Sequence, residues 1–412
     1  MVGLAINDVN QVVGYTGLPW DSKSAMLWEN GDSLLLDELI PAYSGWHLEI
    51  ASDINNRGSI VGYGWHDGQI RGFLLQPCEQ ATILQGKVVF EDGITSIRST
   101  NCPEARVYLR RRGMSDGIYT LVNDNGWYSV EASFVPGEYD IVLRYTLPAA
   151  FRHQDYAEYV FQPSDLNPDP DVVVANDGTL SRCRVDIICP WPAILLHGII
   201  NPIRGDDNGP NDFTALQSVL SNKKLEESGN ELRKGVICLV PDLGVGDFES
   251  YYTELRAQLP SLLQLFPAST RFRLLGYSQG GLVARLLLQN GTDLLGSSRI
   301  DRVFLVATPN KGTCLAAGTS YDWLSETSID SFNDTTVDGR GRPFYLLAGE
   351  KPITHPCLPR HHDRVVPRRS VFSLETMAGY IVADRSIVSA SHWNITKNSE
   401  TLSWAYQRLT GD

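Results

Sequence analysis

Arg271-Phe-Arg-Leu-Leu-Gly276-Tyr-Ser278-Gln-Gly280-Gly281-Leu-Val-Ala-Arg285-Leu-Leu-Leu288 is the stretch that decides the fold. It runs from a short apolar strand, Phe272 to Leu275, through a Gly-x-Ser-x-Gly turn into a segment where Leu282, Val283, Leu286 and Leu287 recur at helical spacing. A nucleophilic serine requires that order of elements. A hydroxyl is weakly nucleophilic and has to stand clear of the sheet edge, so the chain turns sharply and flanking glycines relieve the crowding. Ser278 is then expected at a helix N-terminus, where the dipole and unpaired N–H groups favour developing negative charge. The motif alone arises by chance in on the order of one chain in ten of this length, so its neighbours carry the reading.

Outward from this turn, Ala193–Leu196, Val236–Val240, Val303–Val306 and Phe344–Leu347 are continuous apolar runs, the pattern of parallel strands buried on both faces. Phe248–Leu265 and Gly281–Gln289 between them read as helices. The fold class predicted for residues 183–412 is α/β, a doubly wound sheet with its ligand sites at the carboxyl ends of the strands.

Three features end strands at that edge. His197-Gly198-Ile199 follows the first strand, and acyl transfer needs two pre-positioned donors for an oxyanion. The expected donors are the backbone N–H groups of Ile199 and Gln279, with His197 and Gly198 supporting the loop and His197 a structural residue rather than a base. His361-His362-Asp363-Arg-Val-Val-Pro367 supplies an acid to orient an imidazole, with Asp363 preferred over Glu350 and Asp384 and Glu375 behind them. The competing readings of His355, His361 and His362 are a solvated turn and a metal site. Ser391-His392-Trp393 supplies the base: of eight histidines, His392 alone lies C-terminal to Asp363.

Taken together, Ala193-Ile-Leu-Leu-His197-Gly198-Ile199, Gly276-Tyr-Ser278-Gln-Gly280-Gly281, Ala307-Thr-Pro-Asn-Lys-Gly312-Thr, Asp363-Arg-Val-Val-Pro367 and Ser391-His392 resemble the bacterial lipases and esterases of the α/β-hydrolase superfamily. They are also similar to its inositol-deacylase-like lipases. The resemblance spans about 200 residues and implies the chain order nucleophile, acid, histidine, hence Ser278, Asp363 and His392. It further implies hydrolysis of a carboxylic ester through an acyl-enzyme, without metal or organic cofactor. Gln279 departs from the methionine frequent in lipases, which bears on preference for long acyl chains. Residues 314–342 fall where such hydrolases commonly carry a lid, and Trp323, Leu324 and Phe332 give that segment apolar surface; an ordinary surface insertion is the alternative.

Residues 1–77 contain one pattern twice. Ala5-Ile-Asn7 through Val12-Val-Gly-Tyr15 returns as Asp53-Ile-Asn55 through Ile60-Val-Gly-Tyr63, and Ala25–Trp28 corresponds to Gly72–Leu75. The pattern of short strands and turns suggests propeller-like blades and resembles the HAF-type repeats of bacterial extracellular proteins. Two copies cannot close a ring, so the expectation is a fragment of a longer array whose export signal lies elsewhere; a small sheet packed on the next module is the alternative. Residues 78–182 read as an antiparallel β-sandwich. Asp124-Asn-Gly-Trp-Tyr-Ser129 and Pro136-Gly-Glu-Tyr-Asp-Ile141 resemble transthyretin-like, carboxypeptidase-regulatory-type modules of secreted enzymes; no residue of the segment suggests chemistry, so it reads as a spacer or an adhesion module.

The formal net charge of −13 argues against nucleic-acid and anionic-membrane partners, and no apolar run approaches a membrane span. Seven cysteines lack a Cys-x-x-Cys pair. Cys183 with Cys189, or Cys314 with Cys357, are the candidate disulfides, against buried free thiols in a cytosolic protein. The expected partner is a small-molecule or lipid ester, and the expected location extracellular or at the cell surface. An acyltransferase or thioesterase using the same residues, and an adhesin on an inactive scaffold, are the other readings.

Overall fold

The computed structural model describes residues 2–17, 23–29, 31–40, 45–66, 68–77, 83–97, 104–112, 114, 117–131, 135–147, 158–161, 171–176, 178–199, 210–222, 224–225, 234–244, 246–290, 297–336 and 339–411. Two antiparallel sheets come first. One is built in sequence order from β1 (Val2–Ile6), β2 (Val12–Thr16), β3 (Ser24–Glu29) and β4 (Asp32–Leu35), the other from β5 (Trp46–Ile54), β6 (Ile60–His66) and β7 (Gln69–Leu75). The two sequence copies meet at equivalent turns. Asn7 Oδ1 accepts from the N–H groups of Val9 and Gln11, and Asn55 Oδ1 does the same for Arg57 and Ser59. Asn7 Nδ2 then donates to Asn55 O at 3.1 Å. Val13, Leu27, Leu36, Leu48, Ile54, Ile60 and Phe73 form one core between them, so the copies complete each other's apolar face.

The chain continues through β8 (Ile83–Phe90), β9 (Glu104–Arg111), β10 (Gly117–Leu121), β11 (Trp127–Glu131), β12 (Gly137–Thr146), β13 (Glu158–Phe161), β14 (Val172–Val174) and β15 (Ile187–Cys189). Strands β10, β9, β12 and β13 form an antiparallel sheet in that order, with β14 also on β12. In the second sheet β11 pairs antiparallel with β8, but β15 pairs parallel with β8, in the register Ile187 with Val88. This departs from a purely antiparallel sandwich, and β15 lies beyond the expected boundary at residue 182.

Cys189 is buried on β15 as a free thiol, and burial raises its pKa. The expected Cys183–Cys189 disulfide is therefore absent; Cys183 is engaged in a different one. Placing Cys189 inward on a strand that pairs with β8 leaves its sulfur in the core rather than facing Cys183. Cys314 and Cys357 are bonded, as the sequence suggested.

The third part is a parallel sheet of β16 (Ala193–Leu196), β17 (Cys238–Leu239), β18 (Phe272–Tyr277), β19 (Ile300–Val306), β20 (Pro343–Gly349) and β21 (Ile381–Val388), in the order β17-β16-β18-β19-β20-β21. Every residue of β16 and β18 is buried, as strands covered on both faces must be. The helix Gln279–Asn290 packs on β18 and on the helix Phe248–Leu263, and Thr214–Ser221 packs on Ser399–Thr410. Phe248–Leu263 starts where Asp247 accepts from Ser250 N–H, and Ser399–Thr410 starts on the Asn398 cap and ends at Gly411 in the left-handed region.

The β-rich middle and the parallel sheet share one continuous core, in which Phe90 stacks on Trp191 and Tyr145 lies against Phe266. Fully buried Arg273 on β18 reaches Glu91 at 2.6 Å and Asp301 at 3.3 Å, and also donates to Leu409 O. A buried guanidinium without its carboxylates would cost several kcal/mol. The middle part is thus a packing partner of the sheet.

Candidate active site

Ser278 stands between the end of β18 at Tyr277 and the start of the helix at Gln279. Its φ is +51°, a left-handed conformation that a non-glycine residue adopts at a cost of roughly 1–3 kcal/mol. The surroundings hold it there: Ser278 N–H donates to Val306 O at 2.9 Å, and Gly281 N–H donates to Ser278 O at 3.1 Å. At Gly280 a Cβ would stand 2.1 Å from Leu196 O, so this position of the turn tolerates no side chain.

Ser278 Oγ lies 2.9 Å from His392 Nε2, and His392 Nδ1 lies 2.7 Å from Asp363 Oδ2. All three are buried, Ser278 at 5%, His392 at 2% and Asp363 at 0% exposure. The other carboxylate oxygen, Oδ1, accepts from the N–H groups of Val365 at 2.9 Å and Val366 at 2.7 Å. A carboxylate at Nδ1 favours the tautomer in which Nδ1 carries the proton and Nε2 faces Ser278 Oγ as an acceptor. The histidine backbone is held as well. His392 N–H donates to Asp363 O at 2.7 Å, and the Tyr277 hydroxyl donates to His392 O at 2.9 Å. Burial, then the nearby Asp212 and Asp363 carboxylates, raise the Tyr277 pKa well above its ordinary value, so the phenol stays a donor.

Around the serine, Ile199, Asp212, Pro309, Thr313, Leu324, Val365, Val366 and Trp393 line a cavity of about 50 Å³ together with Tyr277, Ser278 and His392. Gly198 N–H is taken by Asp212 Oδ2 at 3.3 Å, whereas among the described residues neither Ile199 nor Gln279 donates its backbone N–H to another backbone group. A side chain at Gly198 would come within 2.9 Å of the Tyr277 ring, so the loop needs glycine to lie this close to the serine. His197 has both ring nitrogens engaged with backbone. Nδ1 donates to Gly198 O at 2.8 Å and Nε2 accepts from Leu243 N–H at 3.2 Å, while burial lowers its pKa and keeps it neutral.

The remaining sequence candidates lie elsewhere. Glu350 is bonded to His361 at 2.6 Å and to Arg368 at 2.7 Å, Glu375 to Arg385 at 2.7 Å, and Asp384 to Arg408. His362 Nε2 lies 3.0 Å from Ile353 O, and His355 lies beside Cys357. Among the described residues no group of three or more His, Cys, Asp or Glu side chains is placed to hold a metal ion.

Sequence reasoning missed Tyr277, Asp212 and the cavity wall of Thr313, Val365 and Val366. Tyr277 sits inside the quoted motif, but its role depends on a carbonyl 115 residues away. Asp212 precedes the helix Thr214–Ser221 with no local signal of its own.

No protein-family model matches the sequence, and no curated protein matches it. Solved structures similar in chain path include a lipase, BlEst2, from Bacillus licheniformis, at 15% identity and a TM-score of 0.39, covering 54% of this chain and 93% of that one. EstA from Clostridium botulinum is similar at 12% identity and a TM-score of 0.35, covering 53% and 86%. Est1E from Butyrivibrio proteoclasticus, solved with ferulic acid bound, is similar at 16% identity and 0.34, covering 54% and 87%.

Proposed function

We propose that this chain is a serine hydrolase of carboxylic esters, with Ser278 as nucleophile, His392 as base and acid, and Asp363 orienting the imidazole. The observation that carries the reading is the buried relay from Ser278 Oγ at 2.9 Å through His392 to Asp363 at 2.7 Å. Serine, imidazole and carboxylate in that order are what activation of a hydroxyl requires.

Ser278 Oγ attacks the ester carbonyl carbon while His392 Nε2 takes its proton, and the carbonyl electron pair becomes an oxyanion. The N–H groups of Ile199 and Gln279 stabilise that oxyanion, the second aided by its place at a helix N-terminus. Collapse breaks the bond to the alcohol, which leaves with the proton from His392. Water then enters, gives its proton to His392 and releases the acid, restoring Ser278.

The disulfide Cys314–Cys357 and the bonded Cys183 support an extracellular setting, since structural disulfides persist in oxidising compartments. On this reading the parallel-sheet part, from β16 onward, is the catalytic part, and the two repeats and the β-rich middle, with β15, are its supporting modules.

The test is covalent. Incubation with a fluorophosphonate should add one adduct per chain, on the peptide carrying Ser278, and none in Ser278→Ala. An adduct elsewhere, or none at all, contradicts the assignment.

A further inference from the structure

Residues 314–342, expected as a lid or an insertion, carry the cavity-lining Leu324 and are tied to the body of the molecule at several points. Cys314 is disulfide-bonded to Cys357. Trp323 Nε1 donates to Gln279 Oε1 at 2.8 Å, and Gln279 Nε2 donates to Gly246 O at 2.9 Å, so a fully buried glutamine beside the nucleophile clamps the segment. Beyond it, the helix Glu326–Thr335 buries Ile329 at 0% and Phe332 at 7% exposure, and Phe332 meets Phe248 edge-on with ring centres 4.9 Å apart. Arg285 of the helix Gln279–Asn290, buried at 1% exposure, donates to Asn333 Oδ1 at 2.8 Å. A lid that opens would have to break the Arg285–Asn333 bond, leaving the guanidinium on the Tyr380 hydroxyl at 3.0 Å, and expose that core.

Leu324 itself is held from both sides. Its carbonyl accepts from Thr313 N–H at 2.9 Å, and the Thr313 hydroxyl donates to Val365 O at 2.5 Å. Leu324, Thr313 and Val365 all line the cavity beside Ser278. At about 50 Å³ the space is far below the roughly 300–1,000 Å³ of pockets that take drug-sized ligands. With a liquid water claiming about 30 Å³, it has room for on the order of one or two water-sized groups, the scale of the tail of a short acyl chain.

We infer that residues 314–336 form a fixed wall and that Leu324 sets the length of the acyl group, making short-chain esters, acetyl to butyryl, the substrate class. The inference rests on Ser278 being the nucleophile. A longer chain would have to displace Leu324, whose carbonyl is bonded to Thr313 and whose segment is clamped through Trp323.

The experiment measures kcat/KM for p-nitrophenyl acetate, butyrate, octanoate and palmitate in the wild type, Leu324→Ala and Leu324→Val. Fluorophosphonate titration counts competent sites in each. The wild type should favour acetate and butyrate over octanoate by at least about tenfold, since one methylene too many in an apolar pocket is worth about 10–200-fold. Leu324→Ala should raise the octanoate-to-acetate ratio by at least about tenfold, and Leu324→Val by less. If Leu324→Ala does not fold, the wild-type profile and Leu324→Val still decide. Equal or better use of palmitate by the wild type, or a ratio that does not move in either variant while sites titrate fully, overturns the inference and leaves the nucleophile standing. Absence of both titration and hydrolysis overturns the serine-hydrolase reading and the inference with it.

Discussion

His392 is bonded to Asp363 twice, through its ring Nδ1 to Oδ2 at 2.7 Å and through its own backbone N–H to the aspartate carbonyl at 2.7 Å. The carboxylate is in turn fixed by Val365 and Val366 N–H groups. One residue therefore sets both the position of the imidazole and which of its nitrogens carries the proton.

Asp363→Asn tests the second role. The amide keeps the shape but presents an N–H₂ to Nδ1, which drives the proton to Nε2, where it blocks transfer from Ser278. The expected result is a kcat lower by about 10⁴ with the fluorophosphonate reaction slowed in parallel. A loss under tenfold contradicts the orienting role.

Tyr277→Phe removes the hydroxyl that donates to His392 O at 2.9 Å. A buried carbonyl left without that donor costs about 1–3 kcal/mol, so the urea midpoint should fall. Turnover should fall as well, with KM little changed, because Tyr277 acts only by positioning His392. An unchanged midpoint and kcat would show that the bond contributes nothing.

The fold and most of the proposed site were legible because their signals are local. The apolar runs at Ala193–Leu196 and Phe272–Leu275 and the Gly-x-Ser-x-Gly turn from Gly276 to Gly280 are written in adjacent residues. His392 followed from its position after Asp363 in the chain. What could not be read depends on tertiary partners. The parallel pairing of β15 with β8 joins residues about 100 apart, and it turns Cys189 into the core, away from Cys183. The same holds for the Trp323–Gln279 bond: nothing near Gln279 announces an indole 44 positions on. The repeats were visible as sequence, but their mutual core through Val13 and Ile60 was not.

The Cys314–Cys357 disulfide closes a loop with a sequence separation of 43 residues. By loop-closure entropy such a crosslink stabilises by up to about 4 kcal/mol. The double variant Cys314→Ser/Cys357→Ser should be less stable by about 2–4 kcal/mol in urea denaturation, and its protection of residues 314–342 from proteolysis should fall. Equal stability and equal cleavage would remove the disulfide from the account of the fixed wall.

Asp171 is buried at 8% exposure, and that burial raises its pKa to about 6, although Ile141 N–H donates to it at 2.6 Å. A folded-state pKa above the unfolded value means that the stability present below about pH 4 is lost as pH rises through about 6. Asp171→Asn, which cannot ionise, should be more stable than the wild type at pH 8, by up to roughly 3 kcal/mol, and similar to it at pH 3.5. Urea denaturation at the two pH values measures this, and a difference independent of pH contradicts it.

The central claim is that Ser278 is the nucleophile, and the most direct measurement is kcat/KM for p-nitrophenyl acetate in the wild type and Ser278→Ala, prepared side by side. Loss of a triad serine costs on the order of a million-fold in turnover, down to a residual that the oxyanion donors and binding supply. The account predicts a burst of p-nitrophenol followed by steady turnover in the wild type, and neither in Ser278→Ala. Equal hydrolysis by the two proteins would contradict it.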